Sequence, residues 1–287
     1  MDDGSPPRRS WTLTLTTLLA VLGAAFLHAL WNALIKLGTS KIGGMMILSL
    51  AEVPIGLAVV ATRPMPEAKV FLWVLAAGCT HFCYKFFLTY AYDRGDLSRV
   101  YPIARGAAPM IVALVGAVFL ADRISGWEYA GIITLGGGIA LMARGVFSDG
   151  ESRRLLPFAL GSAAATATYT MIDGQGARVA GDAIGYVGWV FVADGVLFSL
   201  GMLALRGRGV LPAHPKAWVM GTAASVASYG AYAISVWAMT VAPIAVVAAL
   251  RETSILFAVL IGWLAFGEKM NLNKALAAGM IVAGVII

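Results

Sequence analysis

Several apolar stretches of this chain carry residues that ionise or hydrogen-bond strongly. His28, Trp31 and Asn32 stand at i, i+3 and i+4, one face of a helix. His81, Tyr84 and Lys85 repeat that pattern, Tyr101 and Arg105 lie one turn apart, and Arg251 and Glu252 adjoin. Glu52 and Asp194 sit alone in the middle of apolar runs. A charge in hydrocarbon is costly and marks a polar cavity or pathway through a bundle. Lys85, Arg105 and Arg251 stand against Glu52, Asp194 and Glu252, and mutual neutralisation lowers the cost of holding them there. Arginine's planar fork suits the carboxylate or phosphate of an anionic substrate group. Trp31, Tyr84, Tyr101, Tyr229 and Trp237 offer flat walls, or ring faces for a cationic amine. Glu52, Asp194 or Glu252 could load and release a proton during a transport cycle, and His28 and His81 belong to the type that titrates near neutral pH. The competing reading makes the charges structural ion pairs that fix helix register, and the aromatics and histidines packing groups.

The elements that must position these residues are membrane spans, each needing about 20 mostly apolar residues. Ten segments fit: 12–35, 42–61, 69–91, 99–120, 127–143, 155–172, 184–205, 216–239, 242–265 and 274–287. Short connections carry the breakers and charges, such as Arg63-Pro64-Met65-Pro66, Asp93-Arg94-Gly95-Asp96 and the stretches Gly174 to Asp182 and Arg206 to Pro215. Pro102, Pro109 and Pro243 fall in the arginine-bearing segments and predict kinks there. The last segment is short for a span, so it is expected to end within the interface or to continue beyond Ile287. Lys and Arg are denser in the connections after segments 1, 3, 5, 7 and 9, which by the positive-inside rule puts the N-terminus outside.

Composition agrees with a membrane protein. The 287 residues are 60% hydrophobic and 13% charged, and a soluble chain carries roughly twice that charge. Mean hydropathy is +0.82. The net charge of +6 suits anionic lipid headgroups and calls for no nucleic acid. Cys79, His81 and Cys83 do not make a metal site, because on a helix the histidine points away from the two thiols; no metal or cofactor is expected. The polar start, 1–11, leads into a segment with Trp31, Asn32 and Lys36 and no small-residue cleavage site, so it reads as a retained helix. There is no phosphate-binding Gly-rich loop, no His-Glu-x-x-His and no Gly-x-Ser-x-Gly, which argues against ATP-driven transport and against hydrolytic enzymes.

The halves repeat. Arg105 through Asp122-Arg123 aligns with Arg251 through Glu268-Lys269 at an offset of 146. Trp73-Val74 aligns with Trp218-Val219, setting Tyr84 against Tyr229; Leu22-Gly23 aligns with Leu160-Gly161, setting Trp31 against Tyr169; Ala51-Glu52 matches Ala193-Asp194. Five segments per copy is odd, so the second copy is inverted in the membrane, an architecture of transporters with the substrate site at mid-membrane. The predicted fold is an all-α integral membrane protein of ten transmembrane helices in two inverted five-helix repeats. Its parts are a polar tail 1–11, a repeat 12–147, a linker 148–154 and a repeat 155–287.

"HALWNALIKLG", "YPIARGAAP", "LRETS" and the "ADR" and "GEK" endings resemble the EamA-type members of the drug/metabolite transporter superfamily, over essentially residues 12–287. The resemblance implies a central cavity and export or exchange of small metabolites such as amino acids, in a multi-pass plasma-membrane protein of the bacterial inner-membrane kind. The expectation is a secondary transporter of a small polar or zwitterionic metabolite, not an enzyme. It would be a monomer, or a homodimer joined through small-residue faces such as Ala275, Gly279 and Ala283. The alternative is an intramembrane enzyme using Glu52, His81 or Glu252 as acid or base.

Overall fold

The computed structural model describes residues 13–36, 40–92, 97–119, 122, 124–143, 153–266 and 272–287. The tail 1–11, most of the linker, the Asp93 to Asp96 connection and the partners Arg123, Glu268 and Lys269 of the repeat lie outside the described residues.

The described residues form helices α1 (Leu15–Lys36), α2 (Lys41–Val60), α3 (Ala68–Tyr92), α4 (Leu97–Phe119), α5 (Gly126–Ala143), α6 (Leu156–Ala180), α7 (Ala183–Arg206), α8 (Pro215–Val241), α9 (Ile244–Arg251), α10 (Ser254–Phe266) and α11 (Leu272–Ile286). No strand occurs among them. Polar residues in the connections start the helices. Ser40 accepts from the Gly43 N–H at 3.1 Å. Asp182 accepts from Ile184 and Gly185, each at 3.2 Å. Ser125 and Glu128 exchange bonds of 2.7 and 3.2 Å, a reciprocal cap on α5. Gly181 (φ 71°) and Gly207 (φ 68°) close α6 and α7 in backbone that L side chains avoid.

Among the described residues, five segments are long and apolar enough to cross a membrane: Leu15–Ile35, Ile42–Val60, Ala68–Ala91, Ala183–Arg206 and Ile244–Ile261. Apolarity alone therefore supports five of the ten predicted spans. The helix α6 shows why: it is rich in Ala, Ser, Thr and Gly, and twelve of its residues are buried within the bundle, so it need not be greasy all round. Leucines on other helices, such as Leu19, Leu72, Leu114, Leu200 and Leu264, are exposed where lipid would cover them, while Glu52, Lys85, Asp173 and Asp194 are inside.

The main packing partners respect the repeat. The helix α2 packs on α7, α1 on α8, α3 on α6 and α5 on α11, and α4 packs on α6 as α1 does on α10. Exchanging the two copies maps this set onto itself, as a two-fold relation between repeats requires. At the α2–α7 seam the backbones touch. A Cβ added to Gly195 would lie 2.5 Å from the Ser49 carbonyl oxygen, and one on Gly56 would lie 2.5 Å from that of Gly188. Small residues permit this approach, and it brings Glu52 and Asp194 to one seam.

Two segment predictions need correction. The sixth segment was expected to end at residue 172, with a connection from Gly174. Helix α6 instead runs to Ala180, because tertiary packing overrides the weak preference of its glycines: Gly174 lies against Ile244 and Gly176 against Tyr186. The ninth segment, expected as one helix over 242–265, is two. Pro243 caps α9 from outside instead of kinking it, and the helix tightens at Glu252 and Thr253, whose N–H groups bond three residues back to Ala249 and Leu250 at 3.0 and 3.1 Å. Helix α4 passes through Pro102 and Pro109 without interruption.

Candidate functional site

Where α2, α3 and α7 meet, Lys85 is held by three oxygens. Its Nζ donates to Glu52 Oε2 at 2.6 Å, to Ser49 Oγ at 2.9 Å and lies 2.7 Å from Asp194 Oδ2. An ammonium has three N–H bonds, and all three find acceptors. Glu52 and Asp194, matched by the internal alignment, thus meet on one cation from opposite halves. The other Asp194 oxygen, Oδ1, is buried without a hydrogen-bond partner.

One turn back along α3, His81 joins this cluster to a second. Its Nε2 bonds Asp173 Oδ2 at 2.9 Å, its Nδ1 lies 3.9 Å from Asp194 Oδ2, and its ring stacks on Tyr169 with centroids 4.1 Å apart. Asp173 is 0% exposed and also accepts from the hydroxyls of Tyr186, at 3.0 Å, and of Tyr232. The Tyr232 ring in turn faces Arg251, whose guanidinium carbon lies 5.3 Å from the ring centroid. Arg251 closes α9 at the tightened turn. It is 6% exposed, and no carboxylate among the described residues comes within ion-pairing distance of it. Tight turns inside a helix often mark functional hinges.

Between these groups lies a cavity with about 40 Å³ open to the centres of water molecules, lined by His28, Trp31, Glu52, His81, Tyr84, Lys85, Tyr169, Phe191, Asp194, Ser228, Tyr232 and Arg251. That is room for a few waters, so a larger guest must displace side chains. Trp31 donates to His28 Nδ1 at 3.2 Å, and Asn32 turns back to the His28 carbonyl oxygen at 2.8 Å.

The predicted residues therefore divide. His28, Trp31, Glu52, His81, Tyr84, Lys85, Asp194 and Arg251 share the cavity. Asn32 is turned back onto the backbone of its own helix. Glu252 lines a smaller pocket on the far side of Arg251 with Pro109, Thr166 and Thr170. Tyr229 lies outside the cavity lining, its hydroxyl 3.2 Å from the Ile184 carbonyl oxygen. Trp237 lines a separate cleft with Arg178 and Asp182. The placement of Tyr229 and Trp237 corrects the expectation that both form cavity walls: Tyr229 lies nearly one turn along α8 from Tyr232 with its hydroxyl turned to α7, and Trp237 faces the separate cleft. The side chains of Tyr101 and Arg105 lie outside the described residues. Sequence reasoning missed Asp173, Tyr169 and Tyr232 as site groups. A signal exists, since Tyr169 and Asp173 are spaced i, i+4, but a sixth segment that ends at residue 172 does not carry Asp173.

A different cluster closes one end of the bundle. Arg178 pairs two-pronged with Asp122 at 2.8 and 3.0 Å, and donates to the carbonyls of Met239 and Ala242 at 2.8 and 3.1 Å. Asp122 also accepts from the Ile244 N–H at 2.9 Å. The connections after α4, α6 and α8 are thereby tied together, and Arg63 approaches Asp182 at 3.9 Å beside them. Among the described residues no group of three potential metal ligands comes together.

The fold and cavity define a multi-pass helical membrane protein built from two copies of one unit around a polar centre. The chain belongs to the EamA-like transporter family, whose model matches it twice, over residues 15–144 and 154–287; this places it in the drug/metabolite transporter superfamily. A crystal structure of a protein 18% identical to it superposes with a TM-score of 0.74, covering 94% of this chain and 96% of the other. At that identity the likeness speaks for the fold alone. No curated protein matches the chain.

Proposed function

We propose that this chain is a secondary transporter in the bacterial inner membrane that exports or exchanges a small polar or zwitterionic metabolite, such as an amino acid, by alternating access of its two halves. The observation that carries this reading is Arg251: a buried cation on the cavity wall, at the tight turn between α9 and α10, with no carboxylate partner among the described residues. Leaving such a charge unpaired is costly. An anionic substrate group that pairs with its fork offsets that cost in the loaded state. The carboxylates Glu52 and Asp194 line the same cavity and give the opposite pole for an amine. A site with one pole of each sign favours a zwitterion over a simple anion. Membership in a transporter family supports the coarse reading, and the absence of a nucleotide-binding loop favours a gradient as the driving force.

The test is uptake by proteoliposomes containing purified protein, with a panel of labelled amino acids, amines and small organic anions, each with and without a pH gradient. Saturable flux of amino acids that exceeds flux of their decarboxylated amines is the expected result. Flux of simple anions alone, or none above protein-free vesicles, contradicts the reading.

A further inference from the structure

The oxygen cage around Lys85 is built for an alkylammonium, and the protein's own lysine side chain sits in it. Three acceptors, Ser49 Oγ, Glu52 Oε2 and Asp194 Oδ2, lie within 2.9 Å of Nζ. They come from facing helices of the two halves, α2 and α7. Two acidic side chains, one from each half, share one lysine. One acceptor is left over: Asp194 Oδ1, which is 2% exposed as part of its residue, has no hydrogen-bond partner and belongs to a cavity-lining side chain. A buried carboxylate oxygen is normally satisfied, so this one points to a missing donor. The Phe198 ring, 5.6 Å from Nζ, adds a face that tolerates a cation.

We propose that Lys85 is a resident stand-in for the substrate's ammonium group. A primary ammonium enters through Asp194 Oδ1, takes the seat between Glu52 and Asp194, and moves Lys85 aside. The inference rests on the transport reading for the word substrate, while the seat itself is a binding property that stands or falls without flux. A filled seat in both loaded and empty protein means that the empty carrier never leaves this acidic pair without a cation as it reorients. Displacing Lys85 also opens a cavity that otherwise admits only a few waters. The selected ligand class follows: primary amines and zwitterions with an unblocked ammonium, and not quaternary ammonium ions, which have no N–H to give to the three oxygens.

The experiment measures melting of the purified full-length protein in ethylammonium chloride against tetramethylammonium chloride at equal concentration. Lys85→Ala is expected to melt below wild type and to gain about 3 °C or more from ethylammonium, with no gain from tetramethylammonium. Wild type, where ethylammonium competes with Lys85 and has no carboxylate for Arg251 to hold, and Lys85→Ala/Asp194→Asn, whose seat is broken, shift by less than about 1 °C. Glu52→Gln/Lys85→Ala removes the lysine together with one of its acidic partners; it remains foldable where the single variant fails, and it too responds to ethylammonium. Net flux of Lys85→Ala in proteoliposomes falls at least about tenfold and recovers in part when ethylammonium is added. No response in either Lys85 variant, or an equal response to tetramethylammonium or in the Asp194→Asn double variant, overturns the proposal. A wild type that transports beside Lys85 variants blind to ethylammonium refutes the seat and leaves transport standing. An ethylammonium response in a protein that moves nothing across the panel supports the seat and contradicts the transport reading.

Discussion

Arg251→Gln is expected to cut flux by about ten- to a hundredfold while leaving the melting temperature within a few degrees of wild type. The reasoning is differential. In the fold, the guanidinium gains little beyond the Tyr232 ring face, 5.3 Å away, and as a buried unpaired charge it is a cost the neutral variant escapes. With an anionic substrate group present, the same guanidinium makes charge-assisted hydrogen bonds worth about 1.5–3 kcal/mol, and each 1.4 kcal/mol is about tenfold. Arg251→Lys keeps the charge without the planar fork and is expected to recover part of the flux. Saturation curves of initial flux for the three proteins, beside their melting curves, check this. A parallel loss of folding and flux would make Arg251 a structural residue.

Asp173→Asn is expected to do the reverse and damage the fold first. Asp173 is 0% exposed and accepts from three donors, His81, Tyr186 and Tyr232. The amide keeps the shape, but one of its arms becomes a donor that faces donors. Hydrogen bonds to charged groups contribute about 1.5–3 kcal/mol each, and a buried group left unsatisfied costs a similar amount. A loss of about 3 kcal/mol corresponds to a fall of roughly 5–10 °C in melting temperature for a chain of this size. Flux falls as well, because the Tyr232 hydroxyl loses its anchor and the ring that faces Arg251 is freed. Melting in detergent, measured together with the flux of the surviving folded fraction, separates the two effects. Unchanged stability would show that this triple contact is not held in solution.

What was legible in the sequence was mostly what obeys a period. The pairing of Glu52 with Asp194 could be read from the repeat, and the structure brings both to Lys85. His28 with Trp31, and His81 with Tyr84 and Lys85, share faces as their spacing predicts. The failures have physical causes. Gly174 and Gly176 suggest a connection by local propensity, yet they are the positions where Ile244 and Tyr186 pack against α6. The end assigned there hid Asp173. The tight turn at Glu252 and Thr253 has no glycine or proline to announce it. On α8, helical periodicity puts Tyr229 and Tyr232 on neighbouring positions of one side but does not say which of them the cavity reaches. Tyr232 lines the cavity while Tyr229 and Trp237, chosen for their chemistry, do not. The Arg178–Asp122 pair joins residues 56 positions apart, a contact that no local pattern encodes.

Alternating access means that the cavity is reached from one side of the membrane and then the other. Its most direct test places a single cysteine at Ser228, on the cavity wall, after replacing Cys79 and Cys83, which lie on exposed surface. Impermeant thiol reagents are then applied to sealed vesicles of both orientations. Alternating access predicts labelling from either side, slowed from both by the transported solute. Labelling from one side only, under every condition and regardless of solute, would mean a closed-ended pocket and would contradict the account.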